Sequence, residues 1–367
     1  MDNKKIRAIG AGLLVVVWLV LTGFSWFGPA KEISDAERRP LAQMPEITLD
    51  SLWKGEFMGD FEDYTLDQFP LRDPFRQLKA LFHYNALQQM DNNGIYIADG
   101  YAAKLEYPLN PDSVSHATKR FGDFYNRFLK DSGSNVFMAV VPDKGYYLAQ
   151  ENGYMAMDYA AMFAAVREQM PWATHIDITD CLSYEDYYRT DTHWRQEKLL
   201  PVAEKIAEAL GVTKPNSNDF TVTQVDRPFY GVYYGQAALP MEAESIYYLR
   251  SSLLDACKVQ VEFAANTQVY DMTKLESKDL YDIFLSGPKS FITIENPNAV
   301  TDRELVIIRD SFGSSLAPLL VQDYAKVTLI DIRYQTLENL GRFVDYSNCD
   351  VLFLYSTLVL NNSETIQ

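Results

Sequence analysis

The chain opens on its strongest pattern. Ala8 to Gly28 runs twenty-one residues without a charge, long enough to cross a bilayer as one helix. Lys4, Lys5 and Arg7 precede it, so the N-terminus is expected in the cytoplasm and everything after Pro29 outside the cell membrane. A cleaved secretory signal is the competing reading. The apolar run is longer than a usual signal core, and Trp18 to Phe27 offers no small-x-small cleavage site, so the pattern favours a single-pass anchor. Residues 1–29 are therefore read as cytoplasmic stub and membrane span, and 30–54 as a juxtamembrane linker, polar and bounded by prolines over Lys31 to Pro45.

From residue 55 to 367 the pattern reads as one domain. A helix is expected from about Pro74 to Gln88, and Asn92-Asn93-Gly94 followed by Ile95-Tyr96-Ile97 looks like a short hairpin. From Asp112 helix and strand alternate: a helix to Lys130, then Asn135 to Val141, a nearly continuous apolar run suited to a central parallel strand. A helix over Tyr159 to Gln169, a strand over Thr174 to Ile178 and a helix over Glu197 to Leu210, closed by Gly211, follow. Residues 215–300 change character, with more Tyr and short runs such as Ser245 to Arg250 and Val259 to Phe263, and read as an inserted β-rich subregion. The alternation then resumes with strands at Leu305 to Ile308, Lys326 to Ile330 and Val351 to Tyr355, and helices near Gly313 to Tyr324 and Thr336 to Val344. The fold class is α/β, a doubly wound layer.

Composition narrows the partners. Hydrophobic residues make up 47% of the 367 residues and the net charge is −17. The first allows a sizeable buried core; the second argues against nucleic acid, which needs clustered Lys and Arg. Cys181, Cys257 and Cys349 are odd in number and widely spaced, which suits buried free thiols rather than a disulfide framework or a metal site. No motif calls for a cofactor or a metal.

The chemistry concentrates in two places. Asp191-Thr192-His193-Trp194 puts an imidazole two residues from a carboxylate, as a general base held by an acid requires. Asp191 or Thr192 acting only as a helix cap is the plain alternative. Far downstream Ser311 lies in Arg309-Asp310-Ser311-Phe312-Gly313, where an apolar strand breaks into a helix. There a serine hydroxyl is lifted clear of the sheet, and the turn amides face any oxyanion formed beside it; here too a simple cap is the alternative. Lys144 follows a central strand at the end where open α/β sheets gather ligand contacts, or is a solvated loop lysine. Phe229-Tyr230-Gly231 sets aromatic faces beside glycine, as a sugar platform or a packed hairpin.

Asp-Ser-Phe after an apolar strand, preceded in the chain by Asp-x-His-Trp, resembles the SGNH-hydrolase-like proteins of the DHHW and AlgX/AlgJ type. Asp67-Gln68-Phe69-Pro70-Leu71-Arg72, Val141-Pro142-Asp143-Lys144, Phe229-Tyr230-Gly231 and Leu329-Ile330-Asp331-Ile332-Arg333-Tyr334 resemble further landmarks of that family, in order. The resemblance implies a three-layer α/β/α fold with a mostly parallel sheet, in which the Asp-His pair precedes the serine. It implies Ser311 as nucleophile, His193 as base and Asp191 as the residue orienting it, with Lys144, Trp194, Tyr230, Gly231, Arg333 and Tyr334 as candidate substrate contacts. The implied activity is O-acetylation of a secreted or cell-envelope polysaccharide through an acetyl-serine, with the acetyl donor relayed by a multipass membrane O-acyltransferase. A carbohydrate acetylesterase, or an inactive glycan-binding scaffold, are the alternatives. Two departures stand out: Thr192 replaces the family's first histidine, and Arg309 stands where hydrolases of this class carry glycine.

Overall fold

The computed structural model describes residues 3–34, 36–264, 268–335, 340–341 and 343–367. The chain divides into two compact units, Met1–Asn93 with Tyr234–Met241, and Gly94–Tyr233 with Glu242–Gln367. The division falls at Asn93, whereas the sequence pattern puts the start of the larger domain at residue 55.

In the first unit α1 (Asn3–Phe27) carries the apolar segment Arg7–Trp26, long and apolar enough to cross a membrane or to serve as a signal sequence. Beyond it the two-residue strands β1 (Ile33–Ser34) and β2 (Arg39–Pro40) pair antiparallel. Then come α2 (Leu49–Lys54), α3 (Glu56–Asp67) and α4 (Arg72–Leu81). Thr48 caps α2 by accepting from Ser51 N, and Gly55 ends it in the left-handed region at φ 78°, the conformation glycine adopts without steric cost. The Asp67-to-Arg72 motif organises this unit. Asp67, at the end of α3, takes two hydrogen bonds from the Arg39 guanidinium at 2.8 and 2.7 Å and a third from Ala42 N. Arg72 lies 3.1 Å from the same carboxylate and also bonds Glu37. The linker is thus pinned to α3 and α4 by charge rather than by an apolar core.

The second unit begins with the hairpin of β3 (Ile95–Ala98) and β4 (Tyr101–Lys104). Asp99 and Gly100 between them both have positive φ, the turn geometry that matches strand twist. The chain continues through α5 (Pro111–Phe124), β5 (Asn135–Val141), α6 (Lys144–Leu148), α7 (Tyr159–Gln169), β6 (Thr174–His175) and α8 (Leu200–Leu210). Then follow β7 (Thr221–Gln224) and β8 (Tyr247–Arg250), paired antiparallel, and β9 (Lys258–Val261), β10 (Phe291–Glu295) and β11 (Glu304–Arg309). The last elements are α9 (Gly313–Leu316), β12 (Lys326–Ile330), β13 (Asp350–Ser356) and α10 (Thr357–Asn361). The helix expected over Thr336 to Val344 lies largely outside the described residues.

Seven strands form the central sheet in the order β6-β5-β13-β11-β12-β10-β9. The five from β6 to β12 are parallel, and β10 and β9 close one edge antiparallel. Among the described residues of the 215–300 stretch, two of the four strands, β9 and β10, are therefore part of the main sheet, while β7 and β8 stand apart. Side chains alternate along each strand as the pleat demands. Leu305, Ile307, Leu352 and Leu354 pack with Val202 and Ile206 of α8; Val306, Ile308, Val351 and Phe353 pack with Phe121 of α5 and Met162 of α7. Helices thus cover both faces and the unit has three layers. The parallel strands end together, and the loops after β5, β11, β12 and β13 meet at that edge.

Asp67 is held at about 2, below its ordinary 3.8, chiefly by the hydrogen bonds from Arg39. A depressed carboxylate contributes stability that is fully present above its unfolded value and lost as pH falls through the folded one. The gap in thermal midpoint between wild type and Asp67→Asn is therefore expected to be full at about pH 5 and to shrink as the pH drops toward about 2. A gap that stays constant over that range would remove Asp67 from the ionic account.

Candidate active site

The loop carrying Asp191 and His193 is built almost entirely from main-chain bonds. Tyr187 and Trp194 form an antiparallel bridge, Tyr188 N donates to His193 O at 3.0 Å and Arg195 N to Asp186 O at 2.8 Å. The Glu244 carboxylate accepts from Arg189 N and Thr190 N, both at 2.8 Å. Lys144 closes the loop from below, donating at 2.7 Å to the carbonyls of both Tyr188 and Asp191. Asp191 is then held on both oxygens. One accepts from His193 N at 3.1 Å and pairs with His193 Nδ1 at 2.6 Å; the other accepts from Val232 N at 2.8 Å.

The nucleophile candidate arrives from the other side. β11 ends at Arg309, and the Asp310 carboxylate accepts from Phe312 N at 3.0 Å and from Ser356 N, at the end of β13, at 2.7 Å. That clamp turns the chain sharply and leaves Ser311 Oγ 2.8 Å from His193 Nε2. Ser311, His193 and Asp191 thus stand in one hydrogen-bonded line, although 118 residues separate the first two. The capping alternatives do not survive: α8 starts nine residues past Asp191, at Leu200, and α9 has Phe312 rather than Ser311 at its N-cap position, with no side-chain cap.

Three residues expected to touch substrate turn out to act on this line from behind. Lys144 is buried, and its ammonium is taken up by carbonyls and by the face of Tyr233, 5.1 Å away. Burial pushes it down to about 7, against the opposing pull of Asp191 and Glu244. Trp194 is fully buried and donates from Nε1 to Phe312 O at 3.1 Å and to Ser315 Oγ at 2.9 Å. It joins the histidine loop to the serine turn. Gly231 donates to Thr190 Oγ1 at 2.9 Å, and a Cβ built on it would overlap the backbone of Thr190 and Asp191. It is a close-approach glycine, not a sugar platform.

The other candidates lie nearer the surface. Tyr230 is 43% exposed and Tyr334 57% exposed. Arg333, just past β12, donates twice to Asp331, at 2.9 and 2.7 Å, and its guanidinium stands 5.6 Å from the Tyr334 ring. Burial opposes the Arg333 charge, but the hydrogen bonds and charge of Asp331 outweigh it and raise the group above its ordinary value. Arg309, in the hydrolase glycine position, is wholly buried; its guanidinium donates to the carbonyls of Asp310 and Lys289 at 3.2 and 3.4 Å. Sequence reading missed Tyr281, whose ring lies parallel to the His193 imidazole at 3.8 Å, and Glu244. Neither sits in a motif or a periodic segment, so no local signal marks them.

The family model for DHHW proteins matches residues 178–330, a span that holds Asp191, His193, Gly231, Tyr281 and Ser311. Among solved structures, a DHHW family protein from Eubacterium siraeum superposes with a TM-score of 0.58 at 21% identity, covering 75% of this chain and 95% of that one. Bacillus cereus PatB1, solved with a sulfonyl adduct, superposes at 0.58 with 17% identity, covering 72% and 95%. The O-acetyltransferase domain of Pseudomonas putida AlgJ superposes at 0.44 with 12% identity, covering 73% and 92%. No curated protein is significantly similar to the sequence. The first two likenesses show that this chain shares the α/β/α fold of those two proteins.

Gly231→Ala would push the Asp191 backbone away from His193, and a displacement near 1 Å in such a constellation costs about 10²-fold in rate. Labelling of Ser311 by a small sulfonyl fluoride, followed by intact mass, is expected to slow by about that factor, with the far-ultraviolet circular dichroism unchanged. Lys144→Met, which releases two loop carbonyls, is expected to slow it in the same direction.

Proposed function

We infer that this chain, whose residues 178–330 resemble the DHHW proteins on a fold shared with PatB1, is a membrane-anchored extracytoplasmic enzyme that transfers acetyl groups to hydroxyls of a secreted or cell-envelope polysaccharide. The observation that carries the reading is the unbroken line from Asp191 through His193 to Ser311, at 2.6 and 2.8 Å. α1 supplies the anchor, and Lys4, Lys5 and Arg7 ahead of it favour a cytoplasmic N-terminus.

Each residue then has a chemical task. His193 Nε2 takes the Ser311 proton as Oγ attacks the acetyl carbonyl, and returns it to the departing group, leaving acetyl-serine. Asp191 holds the Nδ1–H tautomer and offsets the charge that forms on the ring. The amides of Phe312 and Gly313, expected from the sequence to face the oxyanion, are turned back onto the Asp310 carboxylate and carbonyl, so the oxyanion is proposed to draw on other donors. In the second half His193 deprotonates a sugar hydroxyl, which attacks the acetyl-serine and restores the free hydroxyl of Ser311. Arg333, Tyr334 and Tyr230 are proposed to meet the substrate, since they combine partial or full exposure with charge or an aromatic face. The acetyl donor is proposed to be relayed from inside by a multipass membrane O-acyltransferase.

Incubating the full chain in detergent with a chromogenic acetyl ester and an oligosaccharide tests this. Ser311→Ala is expected to lower turnover at least about 10³-fold and to abolish the acetylated protein seen by intact mass. Asp191→Asn, which favours the wrong tautomer, is expected to cost about 10⁴-fold in kcat. Acetylated oligosaccharide marks a transferase; free acetate alone marks an esterase. Wild-type turnover in Ser311→Ala would sink both.

A further inference from the structure

We propose that Tyr281 is a positioning residue for His193, fixing the plane of the imidazole so that Nε2 keeps its aim at Ser311; the inference rests on the Ser-His-Asp reading above. The two hydrogen bonds of the imidazole, to Asp191 and to Ser311, both lie in the ring plane. Bonds of that kind set direction within the plane and resist tilting out of it only weakly, since hydrogen-bond strength changes slowly for small departures from linearity. A flat face against the ring supplies the missing restraint. The Tyr281 ring does so at 3.8 Å with 9° between planes, while Phe312, carried by the serine turn, lies beside the same imidazole at 5.0 Å and 53°.

Tyr281 is itself fixed. It is buried at 3% exposure, edge-on to Tyr188 at 6.4 Å and tilted against Phe284 at 5.0 Å. Its amide donates to Asp279 Oδ1 at 3.0 Å. Its hydroxyl meets Ser315 Oγ at 2.8 Å, and Ser315 Oγ is also the acceptor of Trp194 Nε1 at 2.9 Å. Ser315 therefore joins three segments: the one that stacks on the base, the one that carries the base, and the one that carries the nucleophile. A leucine would fill most of the space but present no plane, while a phenylalanine would keep the plane; both would leave Ser315 with one partner fewer. That difference separates positioning from simple core filling.

The test compares Tyr281→Phe, which keeps the flat face, with Tyr281→Leu, which does not, in the full chain with a chromogenic acetyl ester. The Leu variant is expected to lose about tenfold to 10²-fold in kcat with KM little changed, as a misaimed base would. The Phe variant should stay within about threefold of wild type. The Nδ1–H proton resonance of His193 should broaden in the Leu variant and persist in the Phe variant. If Leu melts early, Tyr281→Met takes its place, because an unbranched side chain fills irregular space without a plane. A Leu or Met variant with wild-type kcat, or a Phe variant as impaired as Leu, overturns the inference. Ser311→Ala run alongside keeps the two readings apart: if it too is fully active, the underlying triad has failed rather than the role of Tyr281.

Discussion

The bond from Trp194 Nε1 to the Phe312 carbonyl, with its companion to Ser315 Oγ, is what makes two remote stretches of chain one site. Indole is a donor only, and a buried donor without an acceptor costs about 1–3 kcal/mol. Trp194 is fully buried, so its N–H has to find the serine turn wherever the backbone allows. Gln196 repeats the device two residues on, giving Nε2 to Ser315 O at 2.8 Å and accepting at Oε1 from Leu249 N and the Tyr270 hydroxyl at 2.8 and 3.0 Å. Once these bonds form, the His193 and Ser311 side chains between them have little choice of separation.

The remaining polar groups around the loop follow the same economy. The side chains of Lys144, Glu244 and Thr190 each act on main-chain atoms, the last on Gly231 N, and together they pair donors and acceptors that a non-repetitive loop would otherwise bury unmet. A buried lysine is costly because its charge leaves water. Here two carbonyls and an aromatic face accept the ammonium, and it serves as a bracket for the loop. Residues of a type usually read as substrate contacts thereby become the scaffold of the loop that carries His193. Tyr230 and Tyr334, by contrast, stay exposed.

Outside that loop the sheet supplies the rigidity. β13 is buried along its whole length between β5 and β11, and its end receives the Asp310 clamp through Ser356 N. Ser311 is therefore mounted at the end of β11, beside the fully buried β13. The first unit is built differently, with Asp67, Arg39, Arg72 and Glu37 in an ionic cluster and few apolar side chains buried.

Much of this was written locally. The apolar span, the continuous strands at Asn135 to Val141 and Lys326 to Ile330, the Asp-x-His pair and the strand-to-turn break at Ser311 all rest on near-neighbour physics: periodicity, charge-free length, and turn chemistry. Sequence alone could offer His193, Asp191 and Ser311 as candidates for a base, its acid and a nucleophile. It could not say that Lys144, Trp194 and Gly231 face the loop rather than the substrate, because a side chain's partner is chosen by the packing of distant segments. It could not find Tyr281 at all, since a ring that stacks across 88 positions of chain leaves no periodic trace. Nor could it show that β9 and β10 join the main sheet, because strand pairing is decided by which edge lies open when the core closes. The chain sets the chemistry available; the long-range burial of donors, acceptors and rings decides which groups carry it.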